Sequence, residues 1–169
     1  MPDATYPSLR GRSVFITGGG SGIGGCLTDA FARQGSRVAF IDLADGPSQE
    51  LVGKIEKAGL PPPWYRKTDV TDVQALQTAI RDAAKTVGDF HVLINNVAND
   101  DRHNLMDVTP EYYDNRIAVN QRPAFFAIQA VVGCRPTRQR KRRPCLASRF
   151  ARSSVTTDGA LQATTPARR

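Results

Sequence analysis

The chain has 169 residues, 40% of them hydrophobic, with 23 Lys plus Arg against 16 Asp plus Glu and a formal net charge of +7. That is apolar material for one core of ordinary size, so a single domain is expected. No apolar run approaches the roughly 20 residues of a membrane span, the first residues (MPDATYPSLRGR) lack the order of a signal peptide, and three cysteines with two histidines form neither a disulfide framework nor a zinc spacing, so a cytoplasmic protein without metal is expected.

In chain order, residues 12–17 (RSVFIT) form a short apolar run between Gly11 and Gly18-Gly19-Gly20, the pattern of a buried strand bounded by breakers. A helix follows, with Ile23, Cys26, Leu27, Ala30 and Phe31 at three- and four-residue spacing and a stop at Gln34-Gly35. Residues 37–43 (RVAFIDL) are a second buried strand, and 47–58 a helix with Pro47 in its first turn and Gly59 at its end. Pro61-Pro62-Pro63 blocks helix and introduces a strand over 64–68. Asp72 or Thr71 caps the next helix, whose Val73, Leu76, Ile80, Ala83, Ala84 and Val87 share a face. Residues 91–95 (HVLIN) are a fourth strand. Thr109-Pro110-Glu111 then opens a long helix that runs through Tyr113, Ile117, Phe125 and Ile128 to Val132. Strands alternating with long helices imply right-handed parallel crossovers, hence an open, doubly wound, Rossmann-like α/β sheet of strands 1–4 with flanking helices.

The chemistry begins between the first strand and its helix, at Thr17-Gly18-Gly19-Gly20-Ser21-Gly22-Ile23-Gly24. Glycines there allow a sharp turn, let backbone N–H groups approach a pyrophosphate and let the helix pack on the sheet, while the helix N-terminus supplies partial positive charge. A flexible turn is the bland alternative, disfavoured by strand, helix and spacing all being in place. Asp42 ends the second strand, where a carboxylate accepts hydrogen bonds from ribose hydroxyls and repels a 2′-phosphate. NAD is therefore expected rather than NADP, against the plain alternative of a solvated strand-end acid.

These residues resemble the short-chain dehydrogenase/reductase family, whose T-G-x-x-x-G-I-G motif is matched at every fixed position. The resemblance implies cofactor contacts at Gly18, Ser21, Gly22, Ile23, Gly24, Asp42, Asp69, Val70 and Asn95. Asp69-Val70 stands where the family's acid meets the adenine amino group, Asn95-Asn96-Val97-Ala98 where it carries N-N-A-G, and Asn120 where it carries a catalytic-site asparagine. Ala98 departs from the usual glycine and adds a methyl near the nicotinamide side. The segment NNVANDDRHNLMDVTPEYYDNRIAVN is similar to the bacterial NAD-dependent sugar 1-dehydrogenases acting on D-xylose-like aldoses, over about residues 6–132. Short polar side chains at the end of a central strand suit a polyhydroxylated substrate, which gives Asn99, Asp100, Arg102 and His103 as substrate contacts; a solvated loop is the alternative. His91 has no role beyond the start of its strand.

By the same resemblance catalysis needs a tyrosine four residues before a lysine and a serine one strand earlier. The tyrosine takes the hydroxyl proton as hydride leaves, the lysine cation lowers its pKa, and an asparagine helps hold a relay water. The four tyrosines are Tyr6, Tyr65, Tyr112 and Tyr113, and none stands four residues before a lysine. The charge is also divided unevenly. Residues 1–132 carry 13 basic and 15 acidic side chains, and 133–169 carry 10 basic ones against Asp158 alone. Apolar periodicity stops at Val132, and the Arg/Pro-rich remainder (GCRPTRQRKRRPCLASRFARSS onward) reads like a GC-rich coding sequence translated out of frame from near Gly133. The expectation is thus a dinucleotide-binding domain over 1–132 and a disordered basic tail over 133–169. Strands five to seven would be missing, the edge of strand four bare, and the chain inactive. A nucleotide-binding module without catalysis and a polyanion-binding basic tail are the alternatives. Arg138 to Arg143 lack a recognition helix or interleaved aromatics, so specific nucleic-acid binding is not expected. Self-association through the 110–132 helix is.

Overall fold

The computed structural model describes residues 4–134 and 145–148. Its strands are β1 (Ser13–Thr17), β2 (Arg37–Asp42), β3 (Trp64–Lys67), β4 (Val92–Asn95) and β5 (Cys145–Ser148), and its helices α1 (Gly22–Arg33), α2 (Asp45–Lys57), α3 (Val73–Val87), α4 (Pro110–Asn120) and α5 (Arg122–Gly133). All strand pairs are parallel, in the order β3-β2-β1-β4-β5. The central strand β1 pairs Val14 with Val38 on one side and with Val92 on the other. Parallel strands buried on both faces need apolar residues at successive positions, and every residue of β1 is buried.

Alternation divides the apolar side chains between two cores. Phe15, Ala39, Ile41 and Leu93 pack with Leu76, Ile80, Ala83 and Val87 of α3 and Ala127 and Val131 of α5. Val14, Ile16, Val38, Phe40 and Ile94 form the opposite core with Ala32 and Ile55. Phe15 and Phe90 meet edge to face at 5.1 Å between ring centroids.

The predicted helix faces hold for α3 and shift for α1. Its buried positions are Gly24, Gly25, Thr28 and Ala32, whereas Ile23, Cys26 and Ala30 are exposed and Leu27 and Phe31 half-buried. The helix lies so near β1 that only small side chains fit beneath it, and Thr28 Oγ1 donates to the Gly19 carbonyl at 2.9 Å. Asp72, rather than Thr71, caps α3 by accepting from Ala75 N–H at 3.0 Å.

Two expectations are corrected. The long helix expected over 110–132 is two, broken at Gln121. Pro123 has no N–H for the Val119 carbonyl and its ring crowds that carbonyl, so the ladder cannot continue. The buried residues of α5 are Pro123, Ala127, Ala130 and Val131, while Phe125 and Tyr113 lie on the surface. The edge of strand four is not bare: β5 pairs with β4 from Val92–Cys145 to Asn95–Ser148 and satisfies the main-chain groups an edge leaves open. The basic segment therefore contributes a strand at 145–148, and residue 133 belongs to α5; residues 135–144 and 149–169 of that expectation lie outside the described residues. Among the described residues no helix is long and apolar enough to cross a membrane.

Candidate functional site

The glycine loop lies flat across the carboxyl end of β1 because its backbone is tied to β2. Gly18 N–H and Gly19 N–H both donate to the Ile41 carbonyl, at 2.8 and 3.1 Å, and Gly20 N–H donates to Asp42 Oδ2 at 2.8 Å. Gly18 and Gly22 hold φ values of 67° and 51°, a region that L side chains rarely adopt. A Cβ on Gly24 would fall on the Gly18 carbonyl oxygen, and one on Gly19 would lie 2.5 Å from Phe40 Cβ. Here, close approach requires glycine. Ser21 sits at the N-cap of α1 yet makes no side-chain cap bond, and Ser21, Gly22 and Ile23 are exposed. The leading N–H groups of α1 are thus left uncapped at the positive end of the helix, the arrangement that accepts a phosphate.

Asp42 anchors both sides of this cradle, since Oδ1 also accepts from Ala44 N–H at 2.9 Å. Ser48 of α2 stands against Gly20, and donates to the Ala44 carbonyl at 2.6 Å. Beneath the loop Tyr65 stacks on Phe40 at 5.0 Å and donates to Asp45 Oδ1 at 2.9 Å. Burial pushes the Tyr65 phenol above the usual tyrosine range, with Ser48 opposing and Asp45 adding to the shift, so it stays neutral as a structural donor.

The ends of β1 and β4 are joined across nearly half the chain. Asn96 N–H donates to Thr17 Oγ1 at 3.1 Å and Asn96 Nδ2 to the Gly18 carbonyl at 2.9 Å. Asn95 is buried with its Oδ1 unpartnered among the described residues, beside a cavity of about 10 Å³ lined by Thr17, Asn95, Val97, Val119 and Asn120. That is room for about one water. After β3, Asp69 Oδ1 accepts from both N–H and Oγ1 of Thr71 at 2.8 Å, leaving Asp69 exposed at the sheet end while Val70 enters the core.

Asn120, last residue of α4, exchanges two bonds with the backbone of Asn99: its Oδ1 accepts from Asn99 N–H at 2.7 Å and its Nδ2 donates to the Asn99 carbonyl at 2.9 Å. This pins the loop after β4 to the helix break. Asp100, Arg102 and His103 are exposed farther along that loop, and His103 faces Tyr112 of α4. The structure so brings together Gly18, Ser21, Gly22, Ile23, Gly24, Asp42 and Asn95 at the mouth of the sheet, with Asn120 and Asn99 beside them.

Residues 12–140 match the family described as short chain dehydrogenase. The chain belongs to that family. It is 50% identical over 132 residues to D-xylose 1-dehydrogenase of Caulobacter vibrioides, covering 78% of this chain and 51% of the relative. It is 44% identical over 131 residues to a Rhizobium meliloti protein named "Probable galactose dehydrogenase GalD", again covering 78% and 51%. A solved short-chain dehydrogenase/reductase from Serratia marcescens superposes with a TM-score of 0.71 at 29% identity, over 76% of this chain and 52% of that one. The chain thus spans about half the length of the curated relatives it matches. Nicotinamide cofactors are general to the short-chain dehydrogenases.

Four residues outside the predicted set take part in this short-chain dehydrogenase site: Thr17, Ser48, Asn96 and Tyr112. Thr17 and Asn96 were within motifs already noted, and their mutual bond follows from the β1–β4 pairing. Ser48 and Tyr112 carry no local signal, since only the fold sets them against Gly20 and His103.

Proposed function

We propose that this chain supplies the NAD-binding half of an NAD-dependent sugar 1-dehydrogenase, whose reaction oxidises the C1 hydroxyl of a cyclic, xylose-like aldose to the lactone. The observation that carries the cofactor clause is Asp42, whose carboxylate lies at the lip of an uncapped glycine cradle and is bonded to Gly20 N–H. The residues fit a dinucleotide: glycine hydrogens stand where any side chain would collide, and the N–H groups of Ser21, Gly22 and Ile23 open the positive end of α1. Asp42 retains lone pairs for ribose hydroxyls and its charge opposes a 2′-phosphate, which favours NAD over NADP. Asp69 at the end of β3, with the main chain of Val70 beside it, would face the adenine, and Asn95 the nicotinamide side. The bound nicotinamide supplies the hydride acceptor.

The sugar clause rests on the likeness to xylose and galactose dehydrogenases and on the polar loop after β4. Asn99, Asp100, Arg102 and His103 on that loop would bond the hydroxyls of the sugar. Asn120, by ordering Asn99 and lining the one-water cavity with Asn95, would hold the relay water. The base itself is another matter. The 169 residues contain no tyrosine four residues before a lysine, so a polypeptide of this sequence binds without turning over. Exposed Tyr113 and Phe125 favour self-association through the α4–α5 surface.

The test is calorimetric titration of the 169-residue chain with NAD and NADP, and of Asp42→Ala. NAD should bind more tightly than NADP, and Asp42→Ala should lose about 1.5–3 kcal/mol of NAD affinity, or roughly tenfold to a hundredfold. Equal binding of both dinucleotides by both proteins would sink the cofactor clause. Binding by the basic segment alone would instead fall steeply with added salt and ignore Asp42.

A further inference from the structure

A compact cluster on the face of α4 surrounds the contact between Tyr112 and His103. Tyr112, in the first turn of α4, brings its hydroxyl to 2.6 Å from His103 Nδ1 and 3.4 Å from the Asp101 carbonyl oxygen. The two rings meet edge to face at 4.4 Å between centroids. One turn later Arg116 lays its guanidinium 4.4 Å from the centre of the Tyr112 ring and donates from Nη2 to Asp101 Oδ2 at 3.5 Å. The Nε and Nη1 atoms of Arg116 are buried without a hydrogen-bond partner among the described residues, and the ring face and Asp101 hold this cation.

This geometry constrains the imidazole. A phenol carries one proton. If Nδ1 of His103 is bare, Tyr112 donates to it over the short 2.6 Å contact and every proton has an acceptor. If Nδ1 bears hydrogen, it donates to the phenol oxygen over the same contact, and the phenol proton is left with the Asp101 carbonyl at 3.4 Å or with water at this exposed site. A phenol is a stronger donor than acceptor, so that arrangement makes the weaker bond over the short contact. The first arrangement uses the phenol as donor to its best acceptor. It places the histidine proton on Nε2, on the far edge of the ring from Tyr112.

We propose that Tyr112, braced by Arg116, is a positioning residue that holds His103 in its Nε2–H tautomer, so that the loop after β4 presents a hydrogen-bond donor to an oxygen of a polyhydroxylated ligand. The ligand clause rests on the sugar dehydrogenase reading; the tautomer clause rests on the cluster alone. Nothing in the sequence signals the pair, because nine residues and a helix start separate His103 from Tyr112.

The test uses the 169-residue chain labelled with nitrogen-15 in histidine, in mildly alkaline buffer. Long-range proton–nitrogen correlations distinguish the two tautomers. His91 is the internal reference, since its Nδ1 accepts from Ser13 N–H at 3.3 Å and fixes its own Nε2–H form. His103 should be in the Nε2–H form in the parent chain and in a mixture in Tyr112→Phe, with His91 unmoved. Arg116→Gln, which keeps the phenol but removes its brace, should shift the same way to a smaller extent and serves if Tyr112→Phe fails to fold. D-Xylose added with saturating NAD should move the His103 signals, with an apparent Kd about tenfold weaker in Tyr112→Phe. An Nδ1–H form in the parent, or a tautomer unchanged by both substitutions, overturns the proposal. Xylose shifts of equal midpoint in parent and Tyr112→Phe overturn the positioning role while leaving the sugar reading intact. NAD binding with no response of His103 to xylose removes the ligand clause and the sugar reading together.

Discussion

Gly24 and Gly53 are both helical glycines, yet the same substitution should move stability in opposite directions. Gly53 of α2 has open space around its α-carbon, so Gly53→Ala gains the helix preference of alanine, about 1 kcal/mol. Gly24 lies in the first turn of α1, where a methyl would overlap the Gly18 carbonyl oxygen and come within 2.6 Å of Asn96 Nδ2. Backbone and a buried amide, not a flexible side-chain tip, would have to give way. Overpacking of this kind costs about 1–3 kcal/mol, and displacing Asn96 from its 2.9 Å bond to Gly18 loses about 1 kcal/mol more. After the alanine preference is subtracted, Gly24→Ala should be destabilised by about 2 kcal/mol. For a domain of this size about 4 °C accompanies each kcal/mol, so its thermal midpoint should fall by about 8 °C while that of Gly53→Ala rises by about 4 °C. Parallel melts followed by far-UV circular dichroism decide the matter. A Gly24→Ala chain melting at or above the parent would refute the claim that contact with Gly18 and Asn96, rather than backbone freedom, is what demands glycine there.

Other consequences can be checked alongside. Phe90→Ala empties a fully buried site against Phe15 and should cost about 4 kcal/mol, seen as a lower urea midpoint at unchanged slope. Pro123→Ala restores an N–H opposite the Val119 carbonyl, so helical ellipticity should rise and the Asn120–Asn99 bonds loosen; unchanged ellipticity would mean that tertiary packing, not the proline, breaks the helix. Hydrogen bonds from Lys85 and Arg66 hold the Asp82 carboxyl below its ordinary 3.8, and its own backbone N–H together with Thr109 does the same for Glu111. Both groups bind fewer protons folded than unfolded in that window. Their stabilisation is therefore present above the ordinary carboxylate range and is lost as pH falls through the depressed folded values; Asp82→Asn should flatten the acid limb of a stability–pH curve, and an unaltered limb would count against the assignment.

The parallel α/β sheet was readable because β1, β2 and β4 are short, mainly apolar runs with glycine close before each, and the Thr17–Gly24 motif announces its loop. What escaped has a physical cause in each case. β5 is four residues flanked by Arg143-Pro144 and Arg149, too short to show a period, and is a strand because β4 offers it a ladder. The spacing of Tyr113, Ile117, Phe125 and Ile128 passes through Pro123 as though the helix were continuous, and it marks large residues when the inward positions are small. In α1 the same preference for bulk pointed to Ile23 and Cys26, although the tight approach to β1 buries Gly24 and Thr28 instead. Within the site, the roles of Asp42 and the glycines follow from local spacing. Tyr112 and Ser48 become visible only when distant elements are brought together.

The bonds of Thr17 and Gly18 to Asn96 also have a bearing on the order of assembly. Partners 78 and 79 positions apart close the mouth of the sheet, and β1 lacks one of its two neighbours until β4 arrives. On a ribosome the glycine loop is made early, but its backbone cannot be locked before residue 96 has emerged. A nascent chain therefore carries the glycine loop as a loose turn until then, and slow contacts of long sequence separation, rather than the motif itself, set when the mouth of the sheet takes its shape.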